Sequence, residues 1–349
     1  MQTKRVYING ECPEPELISE GANWLRAGEL VAFPTETVYG LGANALDAAA
    51  CAKIFAAKGR PQDNPLIVHI CSREMADRLT DGWTAEAELC VHHFWPGPLT
   101  LVLRKKPIIP DVVTAGLPNI ALRMPSHPVA LRLIEESGLP IAAPSANLSG
   151  KPSPTNGSHV WRDLKGKIPL ILDAGVCSVG LESTVLDLSG DIPTILRPGG
   201  ITREQLEEVL GKVEVDVPKE NQAPKAPGMK YRHYSPQGEM ILLVGSSDRV
   251  VHRMGLEIQR GHARLKKVGI LCTLESAPLL HNLLPDLLFV LGSKERPHEI
   301  AANLFEGLRI CDEQGMDLIL TEGMEEETGL GAAIMNRLQK AAGQRIEFL

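Results

Sequence analysis

Apolar positions recur along this chain with two periods, and each change of period marks an element. Pro15 to Gly28 carries Leu17, Ile18, Trp24 and Leu25 at helical spacing, and the short apolar run Glu29 to Phe33 predicts the strand that follows. Between Asp47 and Gly59, Cys51, Ile54 and Phe55 share one helical face. Asp47 suits the N-cap because its carboxylate accepts from first-turn N–H groups, and Gly59 suits a left-handed end. Lys58 follows Ile54 by four and Phe55 by three, so it leaves this helix on the buried side, an odd direction for a solvated lysine. Leu66 to Ile70 resumes as a strand with His69 inside it. Between the first strand and the helix lie a polar turn, Thr35-Glu36-Thr37, and a glycine-rich bend at Gly40 and Gly42.

Downstream, Arg73 to Leu79, Ala85 to Trp95 and Pro128 to Ser137 predict helices. Leu99 to Leu103, Ile120 to Arg123, Leu139 to Ala143 and Thr184 to Leu188 predict strands, and Thr202 predicts the cap of another helix. From Lys212 to Glu239 periodicity vanishes into a proline-rich polar stretch, which predicts a linker. Its second half is unusual for a spacer: Lys225, Lys230, Tyr231, Arg232, His233 and Tyr234 make a basic, aromatic run suited to a lid as well as a tether. From Met240 onward, strands at Ile241 to Val244, Val268 to Cys272, Leu287 to Leu291 and Leu318 to Leu320 alternate with helices at Asp248 to Gln259, Pro297 to Asp312 and Ala332 to Ala342. Alternation of this kind predicts an α/β unit with a small, mostly parallel Rossmann-like sheet. The expected division is a first domain over 14–204, a linker over 212–239 and a second domain over 240–349.

Composition narrows the functional classes. The 349 residues suffice for two domains with real cores, and 44% hydrophobic with 23% charged residues is ordinary for a globular protein. No apolar run reaches membrane-spanning length, and MQTKRVYINGECPEPE lacks a signal core, so a cytoplasmic location is expected. Seven scattered cysteines without a CxxC pair argue for reduced thiols and against structural zinc. The net charge of -7 repels nucleic acid as a whole, so any RNA contact must be local.

The candidate chemistry sits where strands end. Thr35, Thr37, Lys58, Arg60, Asn64 and His69 converge where a strand hands over to a helix, the usual ligand position in an α/β sheet. Arg123 precedes Met124-Pro125 and is held extended. Three further motifs close apolar runs: Pro144-Ser145-Ala146-Asn147 with Ser153 beyond, Glu182-Ser183-Thr184, and Leu196-Arg197-Pro198-Gly199. Each alone reads equally well as a turn or a cap. Together, Lys58, Arg60, Arg123 and Arg197 are four cations at element ends of an acidic chain, a set suited to a polyanion such as a nucleoside triphosphate. Neither GxGxxG nor GxxxxGK[ST] is present, so the ordinary dinucleotide and P-loop readings are unsupported.

The motifs PTETVYGLG, KGRPQDNPL, RMP, PSANLSG, EST and LRPG, followed by APGMKYRHYSP, occur in an order and spacing that resembles the threonylcarbamoyl-AMP synthases. The match is to their long form, with a YrdC-like domain followed by a Rossmann-like one. The resemblance implies a twisted mixed-sheet first domain. The implied reaction joins L-threonine, bicarbonate or carbon dioxide, and ATP into threonylcarbamoyl-AMP and pyrophosphate, with magnesium accompanying the ATP. A separate transferase then uses the product to modify the adenosine beside the anticodon of tRNA. Carried onto matching positions, the resemblance gives threonine contacts to Thr37, His69, Arg123, Ala143 and Ser183. It gives ATP contacts to Thr35, Lys58, Arg60, Asn64, Asn119, Ser145, Asn147, Ser153, Arg197 and Tyr234, with Lys58, Arg60 and Arg197 as the catalytic cations. Two alternatives stay open: a YrdC-type RNA-binding module without catalysis, and a carbamoyl transferase. The scarcity of aromatic residues, 4%, weighs against the first, and the linker and the missing zinc-finger cysteines weigh against the second.

Overall fold

The computed structural model describes residues 1–216, 234–324, 328–343 and 345–349, which fall into two compact units. The first holds the described residues up to 216 apart from Gly150–Pro152. The second holds that tripeptide and the described residues from Tyr234 on.

The first unit is built on an eleven-stranded mixed sheet. Its strands are β1 (Lys4–Tyr7), β2 (Val31–Phe33), β3 (Gly40–Asn44), β4 (Ile67–His69), β5 (Leu99–Arg104), β6 (Asn119–Arg123), β7 (Ile141–Ala142), β8 (Leu170–Asp173), β9 (Thr184–Asp187), β10 (Thr194–Arg197) and β11 (Glu214–Val215). Their spatial order is β1-β8-β2-β3-β7-β4-β6-β5-β9-β10-β11. β4 runs parallel to β6, while β7 and β5 flank this pair antiparallel. Side chains alternate between two cores: Val31, Phe33, Ile141, Leu170 and Leu172 pack with Leu25 and Ile134 on one face, and Ala32, Ala142 and Ile171 join Leu41, Ile54 and Leu101 on the other.

The helix Ala48–Lys58 starts and stops as its residue types dictate. The Asp47 carboxylate accepts from the N–H groups of Ala49 and Ala50 at 2.8 and 3.1 Å, and Gly59 takes the left-handed conformation at φ 62°. Cys51, Ile54, Phe55 and Lys58 are all buried. Gly40 and Gly42, expected in a bend, lie instead within β3. A Cβ at Gly42 would stand 2.8 Å from the Phe33 ring and 2.7 Å from Ile141, so glycine lets neighbouring side chains cross this strand. The run Leu139 to Ala143 yields only the two residues of β7.

The sheet also extends beyond 14–204. β1 pairs with β8 at one edge, and β11 pairs with β10 at the other. Between Thr202 and β11, the helix Arg203–Leu210 opens with a reciprocal Thr202–Gln205 capping box.

The second unit contains β12 (Glu239–Val244), β13 (Val268–Thr273), β14 (Leu287–Gly292), β15 (Leu318–Glu322) and β16 (Ile346–Phe348), in the order β14-β13-β15-β12-β16. Every pairing is parallel, and Ser247–Ala263, Pro297–Glu313 and Gly329–Ala342 supply its long helices. Among the described residues no helix is long and apolar enough to cross a membrane. The lid segment, from Lys225 through His233, lies outside the described residues.

Candidate active site

The parallel register of β4 and β6 sets His69 directly beside Arg123 at the carboxyl ends of both strands. Arg123 is 3% exposed and donates its Nε to the Gly97 carbonyl at 3.3 Å and its Nη1 to the Thr37 hydroxyl at 2.9 Å. Thr35 Oγ1 spends its proton on the Val38 carbonyl at 2.7 Å, so the 2.8 Å contact between the two threonine hydroxyls uses the proton of Thr37. That leaves Thr37 Oγ1 oriented as the acceptor for Arg123. Glu36, between them, turns its carboxylate to 2.6 Å from Arg123 Nη2, but the approach is not aligned as a hydrogen bond.

A concentration of unspent hydrogen-bonding capacity distinguishes this place. Both carboxylate oxygens of Glu36, Nδ1 of His69 and Nη2 of Arg123 are buried without a hydrogen-bond partner among the described residues. Each such group costs about 1–3 kcal/mol relative to a satisfied one, so their clustering marks a surface shaped for polar atoms that a ligand brings. Burial first, and the neighbouring Arg123 charge second, push the His69 pKa down to about 3, so His69 is neutral at physiological pH. Its ring meets Phe33 edge-on at 6.2 Å. Ala143 is buried beside this group, its N–H bound to the Ile67 carbonyl at 2.8 Å.

The cations beyond are held differently. Lys58 donates to the carbonyl of Ser145, to the carbonyl of Asn147 at 2.6 Å and to Asn147 Oδ1 at 3.3 Å, so its three protons brace the Ser145–Asn147 turn. Ser145 Oγ closes the turn on Asn147 Oδ1 at 2.6 Å. Arg60 reaches the carbonyls of Asn64 and Pro65 at 3.3 and 3.0 Å. Arg197 grips the Ser183 carbonyl at 2.8 Å and its hydroxyl at 3.2 Å, and that hydroxyl also meets Thr100 Oγ1 at 2.8 Å. Ser153 is buried and donates to Glu182 at 2.5 Å.

The structure therefore gathers Thr35, Thr37, His69 and Arg123 around one point, ties Lys58 to Ser145 and Asn147, and ties Arg197 to Ser183. Asn119 stands at the opposite end of β6 from Arg123 and donates to Ser189 at 2.9 Å. Tyr234 belongs to the second unit, where it packs on Phe305 at 5.0 Å and lies 5.9 Å from the Arg337 guanidinium. Two carboxylates named within the sequence motifs received no role there, Glu36 and Glu182. Each is adjacent in sequence to an assigned residue, Thr37 and Ser183, and that adjacency was the available signal. Among the described residues no group of three or more His, Cys, Asp or Glu is placed to hold a metal ion.

A mixed-sheet unit with a polar, ligand-ready site at strand ends, followed by a separate parallel-sheet unit, defines the class as a two-domain α/β ligand-binding protein. Residues 23–199 match the Sua5, YciO and YrdC family, described as "Telomere recombination", and residues 201–343 match "Threonylcarbamoyl-AMP synthase, C-terminal domain". The threonylcarbamoyl-AMP synthase of Pyrococcus abyssi is 51% identical over 328 residues, covering 93% of this chain and 94% of that protein. The Bacillus subtilis protein of the same name is 48% identical over 353 residues, covering 99% of each. The crystal structure of Pyrococcus abyssi Sua5 complexed with L-threonine superposes with a TM-score of 0.93 at 48% identity, covering 99% of this chain and 100% of that one. The chain belongs to the threonylcarbamoyl-AMP synthase family.

Proposed function

We propose that this protein is an L-threonylcarbamoyl-AMP synthase, converting L-threonine, bicarbonate and ATP into threonylcarbamoyl-AMP, pyrophosphate and water for the modification of tRNA beside the anticodon. The observation that carries the reading is the set of unsatisfied buried polar atoms on Glu36, His69 and Arg123, next to Thr37. An amino acid with a side-chain hydroxyl brings donors and acceptors to such a surface. The guanidinium of Arg123 suits its carboxylate, and neutral His69 suits its hydroxyl. Ala143 and Ser183 complete the threonine assignment.

The amine of threonine takes up the one-carbon unit as a carbamate, and the carbamate oxygen attacks the α-phosphorus of ATP. No protein nucleophile is required. The protein supplies proximity and fixed positive charge: Lys58, Arg60 and Arg197 offset the charge that moves onto pyrophosphate, and a magnesium ion carried by the nucleotide would supply further positive charge. Lys58 acts in part through the Ser145–Asn147 turn that it braces. Thr35, Asn64, Asn119, Ser153 and Tyr234 complete the nucleotide assignment, and the product passes to a tRNA threonylcarbamoyl transferase.

The test is pyrophosphate release with threonine, bicarbonate and ATP, omitting each in turn. Release should require all three. Release that ignores threonine or bicarbonate would refute the reading, a carbamoyl transferase would demand carbamoyl phosphate, and an RNA-binding module would release nothing.

A further inference from the structure

We propose that Glu36 is the acid–base residue of the threonine site: its carboxylate receives the ammonium group of the bound amino acid and takes one of its protons. This inference rests on the threonine-dependent function proposed above and adds to it a residue and a step.

An α-amino acid arrives as a zwitterion, so its site needs an anion as well as a cation. Arg123 is the cation. Glu36 is the carboxylate beside it, 7% exposed and 2.6 Å from Arg123 Nη2. Both of its oxygens lack a hydrogen-bond partner among the described residues, which is expensive for a buried carboxylate and is relieved by an N–H donor from outside. Its backbone is fixed, since its carbonyl accepts from the Val179 N–H at 2.8 Å, so the side chain projects from an anchored turn. The neighbours leave the acceptor role to Glu36. His69 lies next to Arg123 on the paired strand, and His127, which caps the following helix, feels the Glu36 charge. Burial lowers the pKa of both histidines, that of His69 to about 3. Burial also raises the thiol of Cys177, on the loop facing Glu36, so that it stays protonated.

The step balances simply. The threonine ammonium gives one proton to the Glu36 carboxylate, leaving a neutral amine and a carboxylic acid. The amine lone pair then forms the N–C bond to the carbon of bicarbonate, and water leaves as the carbamate forms. While it remains an ammonium ion, the nitrogen has no lone pair and cannot form a carbamate.

Glu36→Gln keeps the shape and removes the acceptor. Threonine-dependent pyrophosphate release by this variant should fall about 10²- to 10⁴-fold at neutral pH, and KM for threonine should rise. The deficit should then shrink as the pH is raised from about 7 to 9, because solution delivers a growing fraction of free amine while both histidines stay neutral and Cys177 stays a thiol. A merely structural role would not produce this relief. Activity within threefold of the native chain at neutral pH would overturn the proposal, as would a deficit constant with pH. Binding of a non-hydrolysable ATP analogue, unchanged by calorimetry, reports an intact fold. If Glu36→Gln does not fold, Glu36→Asp retains the charge and should give the same pH-dependent deficit at smaller amplitude. Calorimetric titration with L-threonine separates this proposal from the functional one. A native chain that binds threonine without releasing pyrophosphate refutes the function alone, whereas Glu36→Gln binding threonine as tightly as the native chain refutes the role of Glu36.

Discussion

Among the described residues, each unit holds a buried glutamate beside a cation, Glu36 by Arg123 in the first and Glu322 by Lys294 in the second, and these two pairs are built in opposite ways. In the second unit, Glu322 ends β15 with every lone-pair direction engaged. Its Oε2 accepts from the N–H and hydroxyl of Thr273 at 3.1 and 2.9 Å, and its Oε1 accepts from the Ser276 hydroxyl at 3.1 Å and lies 2.8 Å from Lys294 Nζ. In the first unit, Glu36 is ion-paired with Arg123 and has no hydrogen bond to its carboxylate among the described residues. A carboxylate whose partners all come from the chain stabilises a fold, because it fastens strand ends and a helix start together. One left short keeps acceptor capacity that an N–H donor of a ligand can fill. The difference separates a structural ion pair from a binding site without reference to any relative.

The largest effect should come from breaking the satisfied pair. Glu322→Ala leaves Lys294 without its carboxylate and Thr273 with unmet donors, and should cost about 3–5 kcal/mol in chemical denaturation of the full chain. The same variant should keep the stabilisation that L-threonine gives the native protein, which is about 2.7 kcal/mol at a hundredfold excess over Kd. Loss of that ligand-dependent shift in Glu322→Ala would erase the contrast between the two glutamates.

Lys58 is the proposed nucleotide contact whose protons also hold a turn. Lys58→Met should lower pyrophosphate release by about 10- to 150-fold, the loss of one charge-assisted contact worth 1.5–3 kcal/mol. Most of the effect should fall on ATP, with threonine affinity within a few-fold. A loss confined to threonine would place Lys58 on the wrong side of the site.

Gly42→Ala probes the wall behind His69. The added methyl meets Phe33 and Ile141 inside van der Waals contact, so overpacking should cost about 1–3 kcal/mol. Phe33 carries the edge of His69, so threonine affinity should fall in parallel. A stable variant with native affinity would show that β3 tolerates a side chain there.

These contrasts also explain what was legible in the sequence. The helix Ala48–Lys58 was fully readable, because its cap, its apolar face and its left-handed end all lie within thirteen residues. The alternation of the second unit was readable for the same reason: its strands and helices follow one another at short range. The glycines of β3 were misread as a bend because the reason for them, the Phe33 ring and Ile141, is tertiary. β1 was missed since KRVY is polar and is held by β8, more than 160 residues away. Lys58 announced itself by its direction on the helix, but its partners, Ser145 and Asn147, lie 87 and 89 residues on. Glu36 gave no periodic signal at all. Its adjacency to Thr37 marks the turn, but its lack of hydrogen-bond partners among the described residues shows only in three dimensions.

A smaller effect follows from His69. Its pKa is lowered in the folded state, so the unfolded chain binds more protons below the ordinary histidine value of about 6.5. Its contribution to stability is present above that pH and is lost as the pH falls toward 3, at up to about 1.4 kcal/mol per pH unit. His69→Asn should flatten this slope relative to the native chain between about pH 6 and 4. An unchanged slope would mean that His69 is not the buried neutral group described here.

The most direct measurement is calorimetric titration of the native full-length chain with L-threonine, L-serine and L-valine. A site made of unsatisfied polar atoms should bind threonine best and serine next, about 10- to 200-fold more weakly for the lost methyl group. It should reject valine by about 10⁴-fold or more, because the isostere leaves buried donors and acceptors unpaired. Valine binding as tightly as serine would contradict the account.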